Sequence, residues 1–331
     1  MRRWVMAGAL LVVILIAGLA GLVALTVARQ FDSPGPLASD VNVVIPRGAG
    51  LATIARTLAQ AGVIRYPITF RLAIRFHNTA RDLKAGEYRF PAAASMRQVM
   101  EILKSGETVV RRLTVPEGLT SQEVVALVAS AEGLAGEPGP VPPEGSLMPE
   151  TYHYSWDDER GALLKRMETA QREVLRELWA NRDPDLPFGS PEEALVLASI
   201  VEKETALDGE RGLVASVFIN RLKHGMRLQS DPTVVYGLTQ GQAPLGRALT
   251  RQDLDTPSAY NTYLIDGLPP GPIANAGRAA LQAVLNPALT GYLYFVADGN
   301  GGHAFAETLD EHNRNVAKWR RVKRQQNQGA Q

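Results

Sequence analysis

The chain has 331 residues, 45% of them apolar and 21% charged, with a formal net charge of +1 and no cysteine. That length accommodates one large or two ordinary domains with proper cores. Dispersed, nearly balanced charge gives a nucleic acid no electrostatic footing, and the lack of cysteine excludes disulfides, thiolate zinc sites, a thiol nucleophile and a lipid-modified cysteine.

Arg2 and Arg3 precede an uncharged apolar run from Trp4 to Ala28, which Arg29 closes. A run of this length spans a bilayer and exceeds the apolar core of a signal peptide. The expected topology is a cytoplasmic start (1–3), a transmembrane helix (4–28) and a linker (29–40) containing DSPGP. The protein is then single-pass in the plasma (inner) membrane, with its bulk on the extracytoplasmic or periplasmic side. The competing interpretation is a long signal peptide cleaved near Ala28, and it also exports the remainder.

Residues 41–132 read as an α+β region. VNVVI alternates as a strand, stops at Pro46-Arg47-Gly48, and leads into a helix with Leu51, Ile54, Ala55 and Leu58 on one face. Similar strand–turn–helix units recur at 86–104 and 111–130, a pattern that resembles LysM modules, which grip glycan strands. Segment 133–146 is dense in Gly and Pro and reads as a hinge before a C-terminal α+β domain at 147–331. That domain should hold a helix near 159–181, a strongly apolar one over 194–210 that opens at Ser190 and Pro191, and a further one begun by Asp208 and ended by Gly225. A polar, turn-rich stretch follows. Strands at 292–297 and 303–306 should form a hairpin around a glycine turn, and Thr308 with Glu311 starts a basic terminal helix.

The second of these helices carries the chemistry. Ser190, Pro191 and Glu193 make a capping box with proline at the first helical position. At 100° per residue, Ala194, Val196, Leu197, Ala198, Ile200 and Val201 fill one broad arc. Ser199, Glu202 and Lys203 fall opposite, whereas Glu204 lies within the apolar arc. An acid on an apolar face resists ionisation and holds a proton near neutral pH, as a general acid must. Glu202, by contrast, is expected in solvent beside Lys203.

Other chemistries lack their motifs. There is no G-x-S-x-G, S-x-x-K, H-E-x-x-H, P-loop or G-x-G-x-x-G. The five histidines have no metal-ligand spacing, so no metal or cofactor is expected, and His303 reads as a surface residue at a strand start. What remains besides Glu204 is a set of polar and aromatic candidates: Asn220, Gln229, Asp231, Tyr236, Tyr260, Asn261 and Tyr263. Aromatic faces pack on pyranose rings, and amides bind hydroxyl and N-acetyl groups, so this set suits a carbohydrate.

ASIVEKET (198–205), ASVFINRL (215–222), GMRLQSDPTVVYG (225–237), TPSAYNTY (256–263), GLPPGPI (267–273) and YLYFVADGNGGHAF (292–305) are long, collinear stretches. Through them the chain resembles the membrane-anchored endolytic murein transglycosylases of the MltG (YceG-like) family. SLMPETY (146–152) departs from that pattern, with Ser146 where Phe is usual and Glu150 where Asp is usual. The resemblance implies a lyase that cuts peptidoglycan glycan strands internally between MurNAc and GlcNAc, leaving 1,6-anhydroMurNAc ends, and acting on nascent strands beside peptidoglycan synthases. It implies that Glu204 is the catalytic acid, with Gln229, Tyr260 and Asn261 in the cleft. Two other classes remain open on the residues alone. One is a hydrolytic muramidase using a second carboxylate such as Asp231; the other is a membrane-tethered glycan-binding scaffold.

Overall fold

The computed structural model describes residues 2–329, and of residues 2–5, 7, 9 and 327–329 only the backbone. Met1 and the side chains of Arg2 and Arg3, on which the expected cytoplasmic start rests, lie outside the described residues. The chain forms two compact units. The first comprises residues 1–111 and 153–158, the second 112–152 and 159–331.

The first unit opens with α1 (Arg2–Asp32). Its residues Leu10–Asp32 are long and apolar enough to cross a membrane. The helix outruns the expected end at Ala28 because Val27 and Phe31 pack into the core of the unit. β1 (Val41–Ile45), α2 (Leu51–Gln60), α3 (Pro67–Phe76), β2 (Gly86–Phe90) and α4 (Met96–Ser105) follow. β1 and β2 pair antiparallel with Val43 opposite Tyr88 and Ile45 opposite Gly86. Period-2 alternation turns Val43, Ile45, Tyr88 and Phe90 inward, where α2 adds Ile54, Ala55 and Leu58. α4 starts with a Ser95/Gln98 capping box and stops at Gly106, whose φ of 73° suits a residue without Cβ. α3 escapes the sequence pattern because its outward face is also apolar. Segment 153–158 completes the unit: Asp157 O accepts from Arg47 Nη2 at 2.9 Å, and Arg111 stacks on Trp156.

In the second unit, β3 (Arg111–Thr114) leads to α5 (Ser121–Ser130), so the third expected strand–turn–helix unit belongs mostly here. The Gly/Pro-rich segment read as a hinge is tied down within this unit. Ser121 N donates to Glu144 Oε1 at 2.8 Å, Ser121 Oγ donates to Pro143 O at 3.1 Å, and Leu134 is buried. β4 (Thr151–Tyr154) pairs with β3, and Val115 N donates to Glu150 O just beyond them.

Then come α6 (Arg160–Ala180), α7 (Pro191–Glu204), α8 (Asp208–Lys223), α9 (Asp231–Thr239), α10 (Arg251–Leu254) and α11 (Arg278–Leu285). The hairpin strands β5 (Tyr294–Ala297) and β6 (His303–Ala306) precede α12 (Leu309–Gly329). α7 is central and packs against α6, α8, α9 and α11. The stretch read as turn-rich thus contains helices; α9 and α11 are too short for several turns of periodicity to stand out. The whole is a mixed α+β protein, as expected from the sequence.

Candidate active site

α7 begins as its capping box dictates: Ser190 Oγ accepts from Glu193 N, and Glu193 returns the bond to Ser190 N. Its far end carries Glu204 into a half-buried position. There Ser230 Oγ donates to Glu204 Oε1 at 2.5 Å. Burial pushes the Glu204 carboxyl above the usual carboxylate range. The Ser230 hydroxyl opposes that rise, the nearby Asp231 carboxylate adds to it, and His303 opposes it.

Ser230 is held by the loop at 256–263. Thr262 O accepts from Gln229 N at 3.1 Å and Thr262 Oγ1 accepts from Ser230 N at 3.0 Å. Thr262 also bonds Thr233 Oγ1 at 2.8 Å, locking the first turn of α9. Arg221, nearly fully buried on α8, fixes the segment leading into Ser230 by donating to Arg227 O, Leu228 O and Gln229 Oε1. Gln229 itself has φ 53°, and this left-handed backbone leaves its side chain exposed. A Cβ on Gly237 would meet Ser258 Oγ at 2.7 Å, so glycine there lets α9 approach the 256–263 loop.

An open cleft of about 390 Å³ runs along α9, lined by Asp231, Val235, Tyr236, Lys203, Thr120 and Leu245 among others. Tyr263 donates to Asp231 Oδ1 at 2.7 Å. Burial, with Asp231 and Glu204 nearby, disfavours the tyrosinate. Tyr236 and Tyr260 pack ring to ring at 4.8 Å, and Tyr236 Oη donates to Glu144 Oε2 at 3.4 Å. Glu144, raised above the usual carboxylate range by burial, therefore sits behind the aromatic pair.

The residues singled out in sequence divide into two groups. Glu204, Asp231 and Tyr263 come together, Tyr236 lines the cleft with Tyr260 packed against it, and Gln229 reaches solvent beside Ser230. Two amides are engaged elsewhere. Asn261 is 1% exposed; its Nδ2 donates to Leu254 O and Thr256 O while its Oδ1 accepts from Tyr263 N. Asn220 Nδ2 donates to Thr290 O and Tyr292 O, fixing the approach to β5. Both shape the loops that make the site.

Two expectations are corrected. Glu202 is not solvated: its side chain is 4% exposed, its Oε2 accepts from Gly277 N at 2.9 Å, and Arg211 lies 4.0 Å away. Burial raises its carboxyl above the usual range as well. The one-sided helical count fails because α7 is wrapped on all sides. Ser199, on the supposedly outer arc, is fully buried and accepts from Ile273 N. His303 is likewise no free surface residue, since its Nδ1 lies 2.7 Å from Glu210 Oε2 and its N donates to Glu210 Oε1. Glu210 in turn accepts from Thr205 Oγ1 at 3.5 Å, next in sequence to Glu204.

Ser230 was missed in sequence although it directly precedes Asp-Pro, a helix-start signal. Arg221 and Glu144 carry no local signal; only the fold gives them their partners.

Residues 43–318 match the model of the YceG-like family. The chain is 32% identical over 315 residues to a Bacillus subtilis protein named endolytic murein transglycosylase, covering 84% of each. It is 30% identical over 325 residues to a Streptococcus pneumoniae protein of the same name, covering 84% of this chain and 58% of that longer relative. A crystal structure of a YceG-like protein of Listeria monocytogenes matches with a TM-score of 0.52 and 30% identity, over 83% of this chain and 98% of that one.

Proposed function

The chain belongs to the YceG-like family, and from that premise we propose that it is an endolytic murein transglycosylase, a lyase anchored in the plasma membrane through α1 with both units on the extracytoplasmic side. The observation that carries this reading is the environment of Glu204: a carboxyl raised above the usual carboxylate range by burial, bonded by Ser230, beside a cleft with an aromatic pair. Its substrate is the peptidoglycan glycan strand, nascent strands included, and peptidoglycan synthases are its expected neighbours.

Glu204 protonates the glycosidic oxygen as the bond to MurNAc C1 breaks. The ionised carboxylate then takes the proton of the MurNAc C6 hydroxyl, whose oxygen bonds to C1 and closes the 1,6-anhydro ring. Nucleophile and electrophile share one sugar, so proximity favours this closure over attack by water. Exposed Gln229 and the Tyr236–Tyr260 pair hold the sugar. Asp231, oriented by Tyr263, places negative charge where positive charge develops at C1. The first unit, a βααβ fold followed by α4, acts as a LysM-like module that holds glycan without chemistry.

A second reading is favoured by Asp231 itself, which lines the cleft and couples to Glu204. As a base it would activate water and make the protein a muramidase. Mass spectra of products from purified sacculi decide between them. Anhydro ends, lighter by one water, support the transglycosylase; reducing-end MurNAc supports the muramidase. Glu204→Gln should lower the rate on the order of 10²–10⁴-fold. Binding to sacculi without any soluble product from the wild type would leave only a scaffold.

A further inference from the structure

α3 has two apolar faces. Thr69, Phe70, Ala73 and Ile74 are buried in the core of the first unit. On the other side Ile68 is 70%, Leu72 46% and Phe76 87% exposed, at spacings that stack them in one row. An aromatic and two branched aliphatic side chains aligned on one exposed helix face need a partner other than water. Arg65 and Arg75 flank the row and are exposed, Arg71 is half-buried, and none of the three forms an ion pair among the described residues.

The join to α1 says what that partner is. Arg29 is the first charge after the run from Trp4 to Ala28, so it marks the headgroup level where that run leaves the hydrocarbon. The next two residues hold α3. Gln30 Oε1 accepts from Thr69 Oγ1 at 2.7 Å, and the Phe31 ring stacks on His77 at 5.7 Å. Thr69 and His77 are roughly two turns, or about 12 Å, apart along α3. Neighbouring residues of α1 therefore meet both ends of α3, which lies across the end of α1 rather than along it. A helix lying across a membrane-spanning helix at headgroup level runs in the plane of the bilayer. The rotational order agrees. Phe76 borders Thr69 on the side toward α1, while Arg71 and Arg75 lie past the other edge of the apolar row.

We propose that α3 is an interfacial helix: Ile68, Leu72 and Phe76 bed among the acyl chains of the leaflet from which α1 emerges, and Arg65, Arg71 and Arg75 reach anionic phospholipid headgroups. The arrangement is that of an amphipathic helix lying on a membrane, with long cationic side chains extending from the apolar face to the phosphates. It gives the first unit a second attachment to the bilayer besides α1. The proposal rests on the reading of α1 as an anchor, and the test separates the two.

The chain has no cysteine, so single substitutions Ile68→Cys, Leu72→Cys, Phe76→Cys, Leu19→Cys and Thr53→Cys, the last on the exposed face of α2, each give one labelling site. The full chain carrying an environment-sensitive fluorophore is reconstituted in mixed phosphatidylcholine–phosphatidylglycerol vesicles and quenched with lipids brominated along the acyl chain. Labels at 68, 72 and 76 should be blue-shifted and quenched, with Leu19→Cys quenched from deeper bromines and Thr53→Cys unaffected. Quenching at Leu19→Cys with wet labels at 68, 72 and 76 overturns the interfacial helix and keeps the anchor. No quenching at Leu19→Cys removes the anchor itself. Equal quenching at Thr53→Cys would mean general immersion of the unit, and also refutes a specific role for α3.

Discussion

Ser230→Ala tests the electrostatics of the proposed acid more sharply than removing the acid does. The Ser230 hydroxyl donates to Glu204 at 2.5 Å and makes no capping bond to α9, so the substitution deletes one interaction and spares the helix start. Ser230 N keeps its bond to Thr262, which holds the loop in place. A hydrogen bond to a charged group contributes about 1.5–3 kcal/mol, and this one favours the ionised carboxylate. Its loss should shift the ratio of protonated to ionised Glu204 by about tenfold or more. The acid form then persists to higher pH. The assay is the pH dependence of kcat/KM on purified glycan strands, read as anhydro ends by mass spectrometry. The alkaline limb should move to higher pH, with the plateau on its acid side little changed. A limb that moves to lower pH, or that stays while the rate falls uniformly, would refute this reasoning and make Ser230 a substrate ligand instead.

Glu204 and Glu202 both have folded pKa values raised by burial, so each contributes stability below its unfolded value that is lost as pH rises through the folded one. Glu204→Gln and Glu202→Gln should therefore each gain Tm relative to wild type at pH 8 compared with pH 4, measured by calorimetry, while Glu202→Gln keeps activity within about threefold by our reading of its distance from the chemistry. Asn261→Ala should cost about 2–4 kcal/mol in denaturant titration, because it abandons two part-buried carbonyls and one amide, with KM for glycan little affected in the folded fraction. A chain starting at Pro149 should show no cooperative unfolding. It lacks Leu119 and Glu144, which hold Asn275, and Gly118, which accepts from Lys203 at 3.0 Å.

Local rules made much of the fold legible. The capping box at Ser190, the Gly225 stop, the hairpin closed by Asp298 to Gly302 and the terminal helix begun by Thr308 all follow from interactions within a few residues. Periodicity selects Glu204, which the structure half-buries against Ser230, but the same count misplaces Glu202. Periodicity assigns sides correctly only when a helix has one wet face, and α7 has none over most of its length. The two asparagines look alike in sequence to sugar-binding amides. Whether an amide serves a ligand or a loop is decided by carbonyls far along the chain, such as Thr290 O for Asn220, and spacing carries no record of them. α3 was missed for the opposite reason: apolar residues on both faces erase the contrast that marks a helix.

The return of residues 153–158 to the first unit sets an order on its maturation. Arg47 and Arg111 gain Asp157 and Trp156 only after the intervening 112–152 has been synthesised. At 5–20 residues per second that delay is about 2–8 s, far longer than helix or hairpin formation takes. The N-terminal unit must wait, unfinished at that edge. A single proteolytic nick between 112 and 152 would sever the covalent route by which this late clasp arrives.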